Sequence, residues 1–239
     1  MYQLVELQKY LKRINAGHLL DVATGEGDFL LYLLESFSSF DSATGLDINL
    51  ENLKIARQKV GRQKVDLMQG NVRRLPFEDN YFDTITVSNS LHHFDNPVKA
   101  IQSMLRVLVP GGLLVINEMV DEQLNPAQQA HYEYHSLKAE IDTSAGGYHR
   151  KIYTKDELME IIRESSLEPA VLVISEDTPI IYSREKIWQF FHKLDDFVSN
   201  ATHLPNGLEF EQRAQIIKER IEANGFQKPP QIGILAYKD

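Results

Sequence analysis

Between residues 18 and 120 short apolar runs alternate with segments whose apolar residues recur at helical spacing, and few folds accommodate that alternation. HLLDVA (18–23), ATGLDI (43–48), KVDLMQG (64–70), YFDTITVSNS (81–90) and LLVINEM (113–119) read as five strands. DFLLYLLESF (28–37), NLENLKIARQKV (49–60) and PVKAIQSMLRVL (97–108) read as helices. Asn49 is placed to cap the second of these, and Asp95 or Asn96 before Pro97 the third. Strands that alternate with helices need right-handed crossovers, so the chain reads as a parallel sheet with helices on both faces. A ligand of such a sheet lies beyond the carboxyl ends of the strands, where strand order reverses.

The turn after the first strand says what the ligand offers. In HLLDVATGEGDFL, Asp21, Ala23, Gly25 and Gly27 follow the apolar run, and missing side chains let a ligand approach the backbone. The helix that begins near Asp28 turns its free N–H groups and positive dipole end to the same place, which suits a carboxylate or phosphate. Asp47 stands 20 residues beyond Gly27, at the end of the second strand, where a carboxylate can accept from both hydroxyls of a ribose. An adenosine-type cofactor with an anionic group is implied. A nicotinamide fingerprint wants a third glycine where this chain has Leu30, which disfavours a nicotinamide-dependent oxidoreductase.

Composition narrows the partner. With 25 basic and 34 acidic residues, a net charge of −9, the chain has no electrostatic reason to approach nucleic acid or anionic lipid. A small molecule is the expected partner. The basic stretch KIARQKVGRQK (54–64) reads as a solvated helix face, and Phe77, Tyr81 and Phe82 as core. There is no cysteine, so disulfides, thiolate metal sites and a cysteine nucleophile are excluded. The N-terminus lacks the unbroken apolar core of a signal peptide, and nowhere do about 18 apolar residues run together, so a soluble, cytoplasmic location is expected. Oligomeric state is not legible. Leu4, Leu7, Leu11 and Ile14 mark an amphipathic helix over residues 1–17, ending near Gly17.

LLDVATGEGDF, GLDIN, GNVRRLPFEDNYFDTITVSNSLHHF and LVPGGLLVINE, in that order, resemble the successive motifs of the class I S-adenosylmethionine-dependent methyltransferases. More narrowly they resemble the small-molecule branch that includes the ubiquinone and menaquinone methyltransferases. The resemblance covers residues 18–120 and implies a Rossmann-like α/β fold: a doubly wound seven-stranded sheet, mostly parallel with its last strand antiparallel. It implies S-adenosylmethionine as cofactor, its methionine part against Ala23, Gly25 and Gly27 and its amino group held by Asp21. It further gives Asp47 the ribose, Ile48 the adenine face, and Asn71 and the Val72 amide the adenine edge. Ser88 and Asn89 would line the methionine side through main-chain groups. The family more often has glycine at position 23 and aspartate at 71. A second reading of Asp47 and Asn71 is ordinary loop chemistry, since both residue types close turns by bonding nearby backbone.

A methyl on sulfonium is electrophilic without help, so the enzyme's tasks are in-line positioning and exclusion of water. If the acceptor is a hydroxyl or an acidic carbon, His92 or His93 in NSLHHF is placed to take its proton; the simpler reading is that the pair shapes the loop.

Beyond residue 120 two insertions, about 121–152 and 180–228, read as helical caps over a single domain of residues 1–239. Thr154 and Glu157 form a capping box at the helix between them. VLVIS (171–175) resembles the sixth strand and QIGILAY (231–237) the seventh. His131 and His135 share a helix face, and His149 lies beyond the Gly146–Gly147 turn. Two histidines four apart bind zinc or iron if a third ligand arrives, but the simpler reading is a polar face with no metal. Tyr132, Tyr134, Tyr148 and Tyr153 interleave with these histidines and line a polar aromatic pocket or cover the sheet. His131, Tyr134, His135 and His149 are therefore the expected substrate pocket. The expected activity is methyl transfer to a small or medium-sized acceptor. The alternatives are the oxidoreductase and a non-catalytic cofactor-binding module.

Overall fold

The computed structural model describes residues 4–61, 64–175, 181 and 183–239. Three parts of the sequence reading fall outside them: residues 1–3 of the N-terminal helix, Arg62 and Gln63 of the basic stretch, and residues 180 and 182 at the start of the second insertion.

Seven strands form one sheet: β1 (His18–Val22), β2 (Ser42–Asp47), β3 (Val65–Gln69), β4 (Phe82–Ser88), β5 (Leu108–Met119), β6 (Pro169–Ser175) and β7 (Gln231–Tyr237). Their order is β3-β2-β1-β4-β5-β7-β6. Only β7 runs antiparallel to its neighbours β5 and β6, so the expected topology holds. Strand order reverses between β1 and β4, and the turn after β1 lies at that crevice.

Helix α1 (Val5–Leu11) precedes the sheet; α2 (Asp28–Ser36), α3 (Leu50–Val60) and α4 (Pro97–Val107) are the crossovers. The N-terminal helix stops at Leu11, short of the expected Gly17, and Ile14 packs beside the core from the segment that follows. Asn49 accepts from Glu51 N and Asn96 from Lys99 N, which settles the cap of α4 on Asn96. Lys59 pairs with Glu26 and Asp28, and Lys54 with Glu51, so the basic stretch is locally neutralised.

Two apolar layers cover the sheet. Leu20, Val22, Ile85, Val87, Leu114 and Ile116 lie on one side with α4, and Leu19, Leu30, Leu33, Val115 and Leu235 on the other. Phe82 is core and Phe77 is packed against it, but Tyr81 is exposed and stacks on Phe77 and His18. Leu30 is fully buried, and its side chain lies 3.0 Å from where a Cβ on Gly45 would sit. The position that lacks the third glycine is thus a core position, accommodated by the bare backbone of β2.

The insertions form a third core. Helix α5 (Pro126–Ser144) is opened by an Asn125–Gln128 capping box, and α6 (Lys155–Glu164) by the expected Thr154–Glu157 box. Helices α7 (Arg184–Ser199) and α8 (Gly207–Asn224) pack on α5 through Leu137, Ile141, Leu194, Phe210, Ile217 and Ile221. The cap meets the loop after β4 where Arg150 N donates to His92 O and Tyr153 Oη to Leu91 O. Among the described residues no helix is long and apolar enough to cross a membrane.

Candidate active site

A cleft of about 690 Å³ opens at the carboxyl ends of β1, β2 and β4. Ala23, Gly25, Asp47, Ile48, Asn71, Val72, Asn89 and His93 line it. A smaller recess beside it is lined by Asp21, Ala23, Gly25, Ser88 and Asn89. Nine of the ten residues expected to hold a cofactor therefore converge on one continuous surface.

Gly27 is the tenth. Its φ is +82°, and a Cβ there would come within 3.1 Å of the Ala56 side chain, so it is bare because α2 and α3 meet there. Gly25 differs. At φ +55° a Cβ would meet nothing within 4 Å, so the space it leaves belongs to the cleft. Ala23 is also left-handed, at φ +54°, which explains why the resembling family prefers glycine at this position.

Asp47 is buried and its carboxylate has two backbone partners: Oδ2 accepts from Gly25 N and Oδ1 from Asn49 N, each at 2.8 Å. The turn reading of this residue holds, and since a carboxylate has about four acceptor positions, two remain open. Asn71 Oδ1 accepts from Arg73 N at 2.9 Å, the turn chemistry weighed above, while the residue still faces the cleft. Ile48 is 65 % exposed on the cleft wall, an apolar surface without a protein partner to cover it.

Asp21 is 1 % exposed and accepts from Thr24 Oγ1 and Thr86 Oγ1, each at 2.6 Å. Burial raises its pKa to about 6; the two hydroxyls pull against that, and the Asp47 charge adds to it. A cation brought into the recess would stabilise its ionised form. The Asn89 side chain accepts from Met119 N and reaches Gln231, and Asn117 bridges Ser88 and Gln231, so these side chains brace the strand ends.

The histidines regroup in a way the sequence order hides. His92, His93, His135 and His149 form one cluster, with ring centroids 4.0–5.6 Å apart. His92 Nδ1 lies 2.9 Å from Oε2 of Glu118, which is fully buried and whose Oε1 accepts from the Ser90 and Leu91 amides. Sequence reasoning missed Glu118; a charge within the apolar run LLVINEM was the available signal. His149 Nδ1 lies 2.7 Å from Asp142 Oδ2, and its Nε2 is 3.3 Å from His135 Nε2. Burial and then the neighbouring imidazoles lower the pKa of His135 to about 2, and desolvation on its packed side with His92 and His149 lowers that of the cleft-facing His93.

His131 and Tyr134 do not join them. His131 stacks on Phe226, and Tyr134 packs among Phe190, Phe197 and Phe226 in the cap core. Tyr153 is buried and Tyr148 exposed, so the tyrosines do not form a common pocket. Along α5, Tyr134 faces α7, His131 faces Phe226 just after α8, and His135 faces His92 in the loop after β4.

Residues 20–116 match the family model described as a methyltransferase domain. A curated relative, the ubiquinone/menaquinone biosynthesis C-methyltransferase UbiE of Erwinia tasmaniensis, is 38% identical over 129 residues, which are 50% of each chain. The demethylmenaquinone methyltransferase of Porphyromonas gingivalis is 36% identical over 54% of this chain and 56% of its own. The chain thus spans about half the length of the curated relatives it matches. A solved structure of a Bacillus halodurans protein aligns over 98% of this chain and 97% of its own at a TM-score of 0.64 and 23% identity, a likeness of fold.

Proposed function

We propose that this chain, whose residues 20–116 match a methyltransferase-domain model, transfers a methyl group from S-adenosylmethionine to a small or medium-sized organic acceptor. The observation that carries the reading is the cleft wall between Gly25 and Ile48: an open space at Gly25, a carboxylate with two acceptor positions to spare, and an exposed isoleucine side by side. Those are the surfaces an amino-acid end, a ribose diol and a purine face need. A volume of about 690 Å³ lies within the roughly 300–1,000 Å³ typical of such sites.

When bound, S-adenosylmethionine supplies an electrophilic methyl group. The chain's own residues do the rest. Asp21, held by Thr24 and Thr86, receives the ammonium; Asp47 orients the ribose; Ile48 lies against the base, with Asn71 and the Val72 amide at its edge. The cap bounds the side of the cleft near His93 and limits water there. The names of the curated relatives make a quinol ring the first acceptor to try.

The test is incubation with methyl-labelled S-adenosylmethionine and a panel of phenolic, quinol, amine and thiol acceptors. The reading expects acceptor-dependent release of S-adenosylhomocysteine with label in the acceptor. Tight cofactor binding without release from any acceptor would instead fit the binding module.

A further inference from the structure

Two histidines from the loop after β4 and one from the cap come together although 56 residues separate His93 from His149. One ring nitrogen of each of His92, His93 and His149 lies within 4.8 Å of the others. The hydrogen bonds fix two of the three tautomers. Glu118 is a buried acceptor that already takes two backbone amides, so its contact with His92 requires an Nδ1–H donor and leaves a lone pair on Nε2. Asp142 takes the Lys138 ammonium and the His149 ring, so His149 also donates from Nδ1 and carries its lone pair on Nε2. A carboxylate behind the far nitrogen is the arrangement that orients histidines toward metals.

Without an ion, that lone pair on His149 accepts from His135 Nε2, which leaves His135 Nδ1 a buried atom with no hydrogen-bond partner among the described residues. Nitrogens about 2.0–2.1 Å from a tetrahedral ion stand roughly 3.3–3.4 Å apart. The ligand nitrogens of His92, His93 and His149 lie within 4.8 Å of one another, and His93 is exposed, so its ring can turn inward to close that gap while His149 exchanges its His135 contact for the ion. Glu118 and Asp142 against Lys138 leave the surroundings of the cluster negative.

We propose that His92, His93 and His149 bind a divalent transition-metal ion, zinc by preference, at the inner end of the cleft. Imidazoles without thiolates suit zinc, iron or cobalt rather than magnesium or calcium. Three protein nitrogens leave a fourth corner, next to His135 and on the side of His93 that lines the cleft. Resting on the methyltransferase reading, that corner selects the acceptor class: a phenol, enol or thiol that loses its proton to solvent, so that the ion holds the anionic oxygen or sulfur while its bond to the methyl forms and the donor's S–CH3 bond breaks, releasing S-adenosylhomocysteine. His131, assigned to this group in the sequence reading, is no ligand.

The experiment is a titration of the metal-free full chain with zinc against a chromophoric chelator, without S-adenosylmethionine, and a parallel titration with cobalt. The proposal expects one zinc per chain and the intense visible absorption of four-coordinate cobalt. His93→Ala, an exposed position that spares the fold, and His149→Gln each should weaken zinc by more than the 10–100-fold typical of losing an outer partner. Asp142→Asn should weaken it within that range, and His203→Ala, an exposed control outside the cluster, should leave it unchanged. Zinc affinity equal in wild type, His93→Ala and His149→Gln, or no binding by folded wild type, overturns the site. S-adenosylmethionine binding by the same samples is read separately: if it fails while zinc binds, the metal site stands and the acceptor class falls.

Discussion

Gly25 donates its amide to Oδ2 of Asp47 at 2.8 Å, so the carboxylate that faces the cleft also fastens the loop on the opposite wall. Asp47→Ala therefore has two consequences. It leaves the Gly25 and Asn49 amides without acceptors, about 1–3 kcal/mol of stability. It also weakens S-adenosylmethionine binding by about 2 kcal/mol or more through lost charge-assisted bonds. Thermal denaturation and calorimetry on one sample should show both; a lowered melting temperature with unchanged affinity would remove Asp47 from the ligand site.

Gly25 and Gly27 should separate by the same pair of measurements. Gly25→Val places its side chain in the open cleft and should abolish cofactor binding, with a strain cost of about 1–2 kcal/mol from the left-handed backbone. Gly27→Ala pushes on Ala56 and should lower stability while the folded fraction keeps its affinity. The reverse pattern would mean that the cofactor lies against α2 and not in the cleft.

Asp21 gives a pH dependence with a defined sign. Its folded-state pKa is raised from 3.8 to about 6, so its contribution to stability is full below about pH 4 and is lost as pH rises through 6. At neutral pH the ionised group costs of the order of 3 kcal/mol, at ~1.4 kcal/mol per unit. Asp21→Asn, which keeps an acceptor and adds a donor for the two threonine hydroxyls, should raise the melting temperature at pH 7. It should also weaken S-adenosylmethionine, whose affinity for the wild type should fall as pH drops below 6 because the ammonium needs the carboxylate. Affinity flat from pH 7.5 to 5 in wild type would place the ammonium elsewhere.

His131 carries the opposite sign. Burial, and then the nearby Lys228 charge, lower its pKa to about 3, while the Gln227 backbone pulls it up. Stability held by the neutral ring is present above about pH 6.5 and lost as pH falls toward 3. His131→Phe should make acid unfolding less steep in that window, read by circular dichroism, without altering zinc affinity. An unchanged acid transition would show that the ring is not buried in solution.

The core was legible because each strand and crossover helix carries its own period, and because Asp21, Gly25 and Asp47 sit at strand ends that the topology must bring together. The cap histidines were not. Placing His135 with His92, and His131 with Phe226, depends on which face of α5 meets the sheet, and that is decided by α8, remote in sequence. Tyr81 was misjudged, and the packing of Gly27 against α3 was missed, for a related reason. A bare or aromatic position looks the same in sequence whether it faces a ligand, a neighbouring helix or solvent.

The central claim is that the cleft between Gly25 and Asp47 binds S-adenosylmethionine. Calorimetric titration of the full chain with S-adenosylmethionine, S-adenosylhomocysteine and NAD tests it most directly. The account predicts one molecule of either sulfur ligand per chain, binding lost in Gly25→Val and weakened in Asp47→Ala, and no heat from NAD, whose fingerprint Leu30 interrupts. Folded protein that binds NAD, or that binds neither sulfur ligand, would contradict it.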